Sequence, residues 1–148
     1  MHVLATDINS ALKYAAGKIA KAQAPGNIDT GWIDRSGFES ATMLGQLGAS
    51  AGSPTSQSLK LELLDADDSS GTNAAVVKSD GTNNDVAVTG ATADNAITQV
   101  GARFSNCRQF VKARGIYANG GGSSPTNDVS VQLVLGGARD MPTTPPNP

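Results

Sequence analysis

Apolar side chains recur at every second residue in a series of short runs, and this period-two pattern is what most narrows the folds open to the chain. In Ser58-Leu59-Lys60-Leu61-Glu62-Leu63 the three leucines fall on one side of an extended backbone and the polar residues on the other, as a half-buried strand requires. Val129, Val131, Leu133 and Leu135 repeat the pattern, and Val111, Ala113 and Tyr117 share a face within residues 109–117. Shorter runs at 28–33, 41–47, 74–77, 85–89 and 97–104 lie between turn-forming clusters such as Asp34-Arg35-Ser36-Gly37 and Ser79-Asp80-Gly81. About eight short strands without intervening helices predict an all-β fold, a single β-sandwich or jelly roll. Seventeen glycines and seven prolines supply the turns that so many strands need.

The two ends read differently. In residues 1–24, Ile8, Leu12, Ala15, Ala16 and Ile19 stand at helical spacing, Thr6 or Asp7 is placed to cap, and Ala24-Pro25-Gly26 closes the segment. This predicts a short amphipathic helix or, since the stripe is alanine-heavy and Gly17 interrupts it, an extended arm ordered against a neighbouring subunit. Residues 142–148 hold four prolines and are expected to be an extended tail, because proline cannot donate to a strand ladder. The expected organisation is therefore an N-terminal helix or arm over 1–26, one β-sandwich domain over 27–141 and the proline-rich tail over 142–148. A chain of 148 residues fits one core.

Composition excludes several partners. The formal net charge of −2 gives no general field for gathering phosphates, so nucleic acid is not expected to bind. Nothing reads as a signal peptide or as the run of about 20 apolar residues that a membrane span needs. With a single cysteine no intramolecular disulfide forms, and synthesis in a reducing cytoplasm is expected.

Residues suited to catalysis are scarce. His2 is the one histidine and lies at a chain end, so a nucleophile–base arrangement would depend on the least anchored residue. Cys107 reads as a small buried hydrophobe. The acidic run Asp65-Ala66-Asp67-Asp68-Ser69-Ser70-Gly71 offers hard oxygen ligands, yet lacks the glycine position and distal glutamate of an EF-hand, and a solvated turn is expected there. Gly120-Gly121-Gly122 has no following helix and is no phosphate cradle. The expectation is no catalytic residue, no metal, no cofactor and no enzyme activity.

One local cluster is basic. It comprises Arg103, Arg108, Lys112 and Arg114, of which Arg108, Lys112 and Arg114 fall at alternate positions on one predicted strand face with Phe110 between them. Because arginine and aromatic residues are enriched at protein interfaces, Arg108, Phe110, Lys112 and Arg114 are the candidate partner-binding residues, the alternative being a solvated strand face. Trp32 shares its predicted strand face with Ile28 and is expected in the core.

Taken together, Asn27-Ile28-Asp29-Thr30-Gly31-Trp32 after a short arm, the strand and acidic turn at 59–71, Arg108-Gln109-Phe110-Val111-Lys112-Ala113-Arg114, and the closing strand at 129–137 resemble the capsid cement, or decoration, proteins of tailed bacteriophages. The resemblance is one of pattern and spans most of the chain. It implies a β-sandwich or jelly roll with no enzyme activity, a symmetric homo-oligomer (dimer or trimer) on the virion surface, and the major capsid protein as partner. Two other classes remain open: a carbohydrate- or receptor-binding β-sandwich module, which the 4% aromatic content disfavours, and a head–tail joining or tail protein.

Overall fold

The computed structural model describes residues 12–138, which form two antiparallel sheets packed face to face. The first sheet contains β1 (Leu12–Gln23), β10 (Thr126–Ala138), β4 (Phe38–Ala51) and β8 (Ile97–Arg103), in that order. The second is built on β2 (Gly26–Asp29), β9 (Phe110–Gly120), β5 (Ser56–Ala66) and β6 (Ala75–Val76), with β3 (Ile33–Asp34) also pairing β9 and β7 (Ala87–Gly90) also pairing β5. The chain changes sheet between β1 and β2, β3 and β4, β4 and β5, β7 and β8, β8 and β9, and β9 and β10, which is the alternation of a jelly roll. A single 3-10 turn at Phe104–Asn106 leads from β8 toward β9.

The alternating positions read from sequence are the ones that meet in the core. Leu59, Leu61 and Leu63 of β5 and Val111, Ala113 and Tyr117 of β9 face Met43 and Leu47 of β4 and the Val129-to-Leu135 series of β10, all of them buried. Register follows from this, because sliding a strand by one residue would turn its whole apolar set into water. Two glycines let the sheets approach. A Cβ at Gly45 would stand 2.8 Å from the Leu59 and Leu61 side chains, and one at Gly115 would stand 2.5 Å from Val131. Each sheet thus offers a gap opposite a branched side chain of the other, which lets the two faces pack closely at these points.

The N-terminal expectation is corrected. Residues 12–23 are a strand, and β1 pairs along β10 within the same chain, so they are neither a helix nor an arm waiting for a neighbour, and the sandwich begins well before residue 27. An isolated alanine-rich helix interrupted by Gly17 is marginal in water, whereas β1 covers the otherwise open edge of a 13-residue strand. The register shift between Tyr14 and Ala16 leaves Ala15 without a Cα partner on β10. That bulge breaks the period of two and produces the spacing of Leu12, Ala15, Ala16 and Ile19 that mimics a helix. Strand β10 also runs on past Gly136-Gly137, where Gly137 takes φ +66° and Ala138 pairs with Phe38. The proline-rich tail, His2 and the first turn of the expected helix lie outside the described residues.

Candidate contact surfaces

The basic cluster divides in two. Phe110, Lys112 and Arg114 occupy the outward positions of β9, while Arg108 lies before the strand begins and turns toward Asp65. Its guanidinium meets the Asp65 carboxylate through Nε at 3.1 Å and Nη2 at 2.7 Å, and its backbone N–H donates to the same carboxylate at 2.9 Å. Nη1 reaches Asp67 at 3.1 Å. These hydrogen bonds, that of Asp65 foremost, raise the Arg108 pKa above its ordinary value. Arg35 completes this end of the sandwich by donating to the carbonyls of Arg108 and Cys107 and lying over the Phe104 ring at 5.2 Å.

Lys112 and Arg114 converge on Asp29 of β2, which the register sets opposite Arg114. Lys112 Nζ lies 2.6 Å from Oδ2 and Arg114 Nε 2.9 Å from Oδ1. Burial opposes ionisation of Asp29, but the hydrogen bonds from Arg114 and Lys112 outweigh it and hold its pKa below the usual carboxylate value. Across β9, Glu62 stands opposite Arg114 and forms an ion pair with Lys60 at 2.6 Å. The Lys112 ammonium also sits 4.8 Å from the centre of the Trp32 ring. Trp32 is half-buried on this outer side against Gly71, not in the core with Ile28. The chain leaves regular pairing after Asp29, where the buried Thr30 hydroxyl accepts from Ala113 N–H, and this break defeats the alternation that placed Trp32 inward. The face that reads as basic is therefore a charge-compensated lattice in which each of the three cations has a carboxylate partner.

The acidic turn is likewise occupied by its own donors. Asp68 accepts from the Thr72 hydroxyl at 2.6 Å and from the Ser70 and Thr72 backbone N–H groups, and Asp67 accepts from Asn73 as well as Arg108. Cys107 is buried, which with the nearby Asp65 charge pushes its thiol up to about 11. Among the described residues no group of three or more His, Cys, Asp or Glu is placed to hold a metal ion, and no helix is long and apolar enough to cross a membrane.

A second surface was not anticipated from the sequence. On the outer side of the β1–β10–β4–β8 sheet, Tyr14, Val134 and Thr42 stand in one row and Gln132, Leu44 and Gln99 in the next. Ile19 and Ile97, at opposite edges of a further row, are 71% and 66% exposed. Tyr14 is 60% exposed and its ring folds along β1, since a Cβ on Gly17 would fall only 1.8 Å from the Tyr14 hydroxyl. The face escaped prediction because its outward residues come from strands distant in sequence, and because the bulge conceals the parity of β1.

No family model matches the chain, and no curated protein does. Among solved structures it is similar to the PBSX exported protein XepA, with a TM-score of 0.53 and 13% identity over 94% of this chain. The match spans 41% of XepA, so the chain corresponds to about two-fifths of that protein. Weaker likenesses include the SPBc2 prophage-derived protein YomS (TM-score 0.39, 13% identity, 80% of this chain and 91% of that one) and the sugar-binding EclA C-terminal domain (TM-score 0.41, 10% identity, 82% and 79%). What the chain shares with XepA is the fold, an all-β sandwich of two antiparallel sheets.

Proposed function

We propose that this chain is a non-enzymatic structural protein of a phage virion, which binds the outside of the capsid and cements contacts between major capsid protein subunits. The observation that carries the reading is the division of labour among its side chains. The cations of the basic cluster on β9 and before it are engaged with Asp29, Asp65 and Asp67 in pairs that hold the scaffold, whereas the β1–β10–β4–β8 sheet presents an uncharged outer face with Leu12, Tyr14, Ile19 and Ile97 exposed. Such a surface works by being covered. The resemblance in residue pattern to capsid cement proteins supports the reading.

In this reading each copy of the sandwich contacts more than one capsid subunit, and segments 1–11 and 142–148 are tested as additional attachment points. Weak contacts of this kind add through repetition over a symmetric shell. The test is co-sedimentation of the purified protein with capsids that lack it, using the full chain and versions trimmed of 1–11 or 142–148. The full chain is expected to pellet with capsids and raise their resistance to heat, and the trimmed chains to lose attachment while keeping the fold. Absence of the full chain from the capsid pellet sinks the proposal. A carbohydrate-binding reading draws on one observation, the exposed Tyr14 ring beside Gln132, and specific hits on a glycan array with loss in Tyr14→Ala would put it first.

A further inference from the structure

The two sheets present opposite kinds of surface. The outer side of the β9-containing sheet carries Asp29, Lys60, Glu62, Lys112 and Arg114 in adjoining positions. The outer side of the β1-containing sheet has no Asp, Glu, Lys or Arg at its outward positions between Leu12 and Ile19, Ser40 and Gln46, Ile97 and Gly101, or Ser130 and Gly136. Its charges stand at the margin. Arg103 lies at one corner, opposite Ser40, and the Lys21–Asp128 ion pair closes the other end, beside Ile19 and Gln46. A neutral, partly apolar centre inside a charged margin is the anatomy of a protein interface.

The edge of the same sheet is built against pairing. Lys13 and Lys18 take core-side positions of β1, opposite Leu135 and Val131, yet β1 is an edge strand and both side chains are exposed. Another strand added at that edge would draw these ammonium groups toward a dry sandwich interior, which is how natural sheets discourage edge-to-edge growth. Association is thereby directed to the face.

We infer that the outer face of the β1–β10–β4–β8 sheet docks a second copy of this chain, face to face about a twofold axis. An uncharged patch is complementary to itself, because a twofold places it on its own image with no like charges opposed, whereas a charged partner would find no counter-charge at its centre. The size also fits. Four strands about 4.8 Å apart and roughly ten residues long at about 3.3 Å per residue give on the order of 600 Å² of sheet, to which side-chain relief adds, against about 800 Å² per partner in a standard interface. Leu44 on the interior strand β4 and Tyr14, whose ring lies over Gly17 toward the β1 edge, are the anchors. The inference rests on the proposed function only in expecting an oligomer, and it is tested on isolated protein so that failure to bind capsids leaves it untouched.

The experiment is sedimentation velocity of the full 148-residue chain from about 1 to 100 μM, a range that brackets transient and stable dimers. The expected result is a dimer, or a larger closed oligomer containing it, whose dissociation constant rises more than about a hundredfold in Leu44→Lys because an ammonium is then buried without a partner. Thr42→Arg, at an exposed position of the same face, is expected to do the same with circular dichroism unchanged, which keeps the test valid if Leu44→Lys fails to fold. Asn27→Lys, exposed on the other sheet, is expected to leave association intact. A chain that is monomeric throughout, or an oligomer indifferent to both face variants, overturns the inference. So does a monomer that binds a neutral oligosaccharide through Tyr14.

Discussion

Asp29 shows how single residues in this protein set the behaviour of their neighbours. It receives Lys112 and Arg114 at once, so Asp29→Asn takes the carboxylate partner from both and leaves Arg114 only the charge of Glu62 across the ladder. The expected cost is about 1–3 kcal/mol at pH 7, discounted from a buried pair because the groups are partly exposed. Urea unfolding at pH 7 measures it, and the difference from wild type is expected to shrink below pH 4, where the wild-type carboxylate also protonates. Asp65→Ala is the companion case at the Arg108 end. It removes the acceptor of one backbone and two guanidinium hydrogen bonds from a buried position, and is expected to cost on the order of 2–4 kcal/mol, read from the same experiment. Cys107 is expected to react with a thiol reagent at pH 8 only after unfolding, as a buried thiol shifted to about 11 is neither reachable nor ionised. The basic residues of this region were legible in the sequence, but their meaning was not. Spacing along one strand displays Arg108, Lys112 and Arg114 without the aspartates that neutralise them, which arrive from the β2 strand and the β5 turn more than forty residues away.

At the scale of elements, the strands with clean alternation were readable and the irregular one was not. Residues 58–63 and 129–135 announce β5 and β10 because one face of each is dry and the other is less so. Strand β1 was hidden by its bulge, and its strand character comes from β10, not from local propensity. The approach of the sheets gives an element-level prediction. Gly115→Ala places a methyl against Val131, and the expected loss is about 1–3 kcal/mol from overpacking. Val131→Ala alone leaves a cavity and also destabilises. Combined, the two are expected to lose less than the sum of their separate effects, since the new methyl occupies part of the space the valine gave up. A double-mutant cycle by chemical denaturation checks this, and strict additivity would show that the two positions do not touch.

Across the described residues, every carboxylate with a resolved shift gives the acid-range pH dependence the same sign. Backbone N–H groups of Thr82, Asn83 and Asn84 bring Asp80 down to about 2, and Asp29, Asp34, Asp67, Asp68, Asp94 and Asp128 are also lowered. A carboxylate with a folded pKa below its unfolded value contributes stability that is complete above the unfolded pKa and is lost as pH falls through the folded one. The melting temperature is therefore expected to be nearly level from pH 7 to 5 and to drop between about pH 4 and 2. Calorimetry over that range tests it, and a melting temperature still rising below pH 4 would contradict the pairings described above. Taken by itself, the sequence determined that the chain is a strand-rich sandwich and which side chains fill its core, because alternation is a local record of a face that must leave water. Only the tertiary structure decided that residues 12–23 are a strand, that the basic residues are neutralised, and that an uncharged sheet face stands open. Each of these depends on which distant strand lies alongside, and register between segments far apart in the chain leaves no local pattern to read.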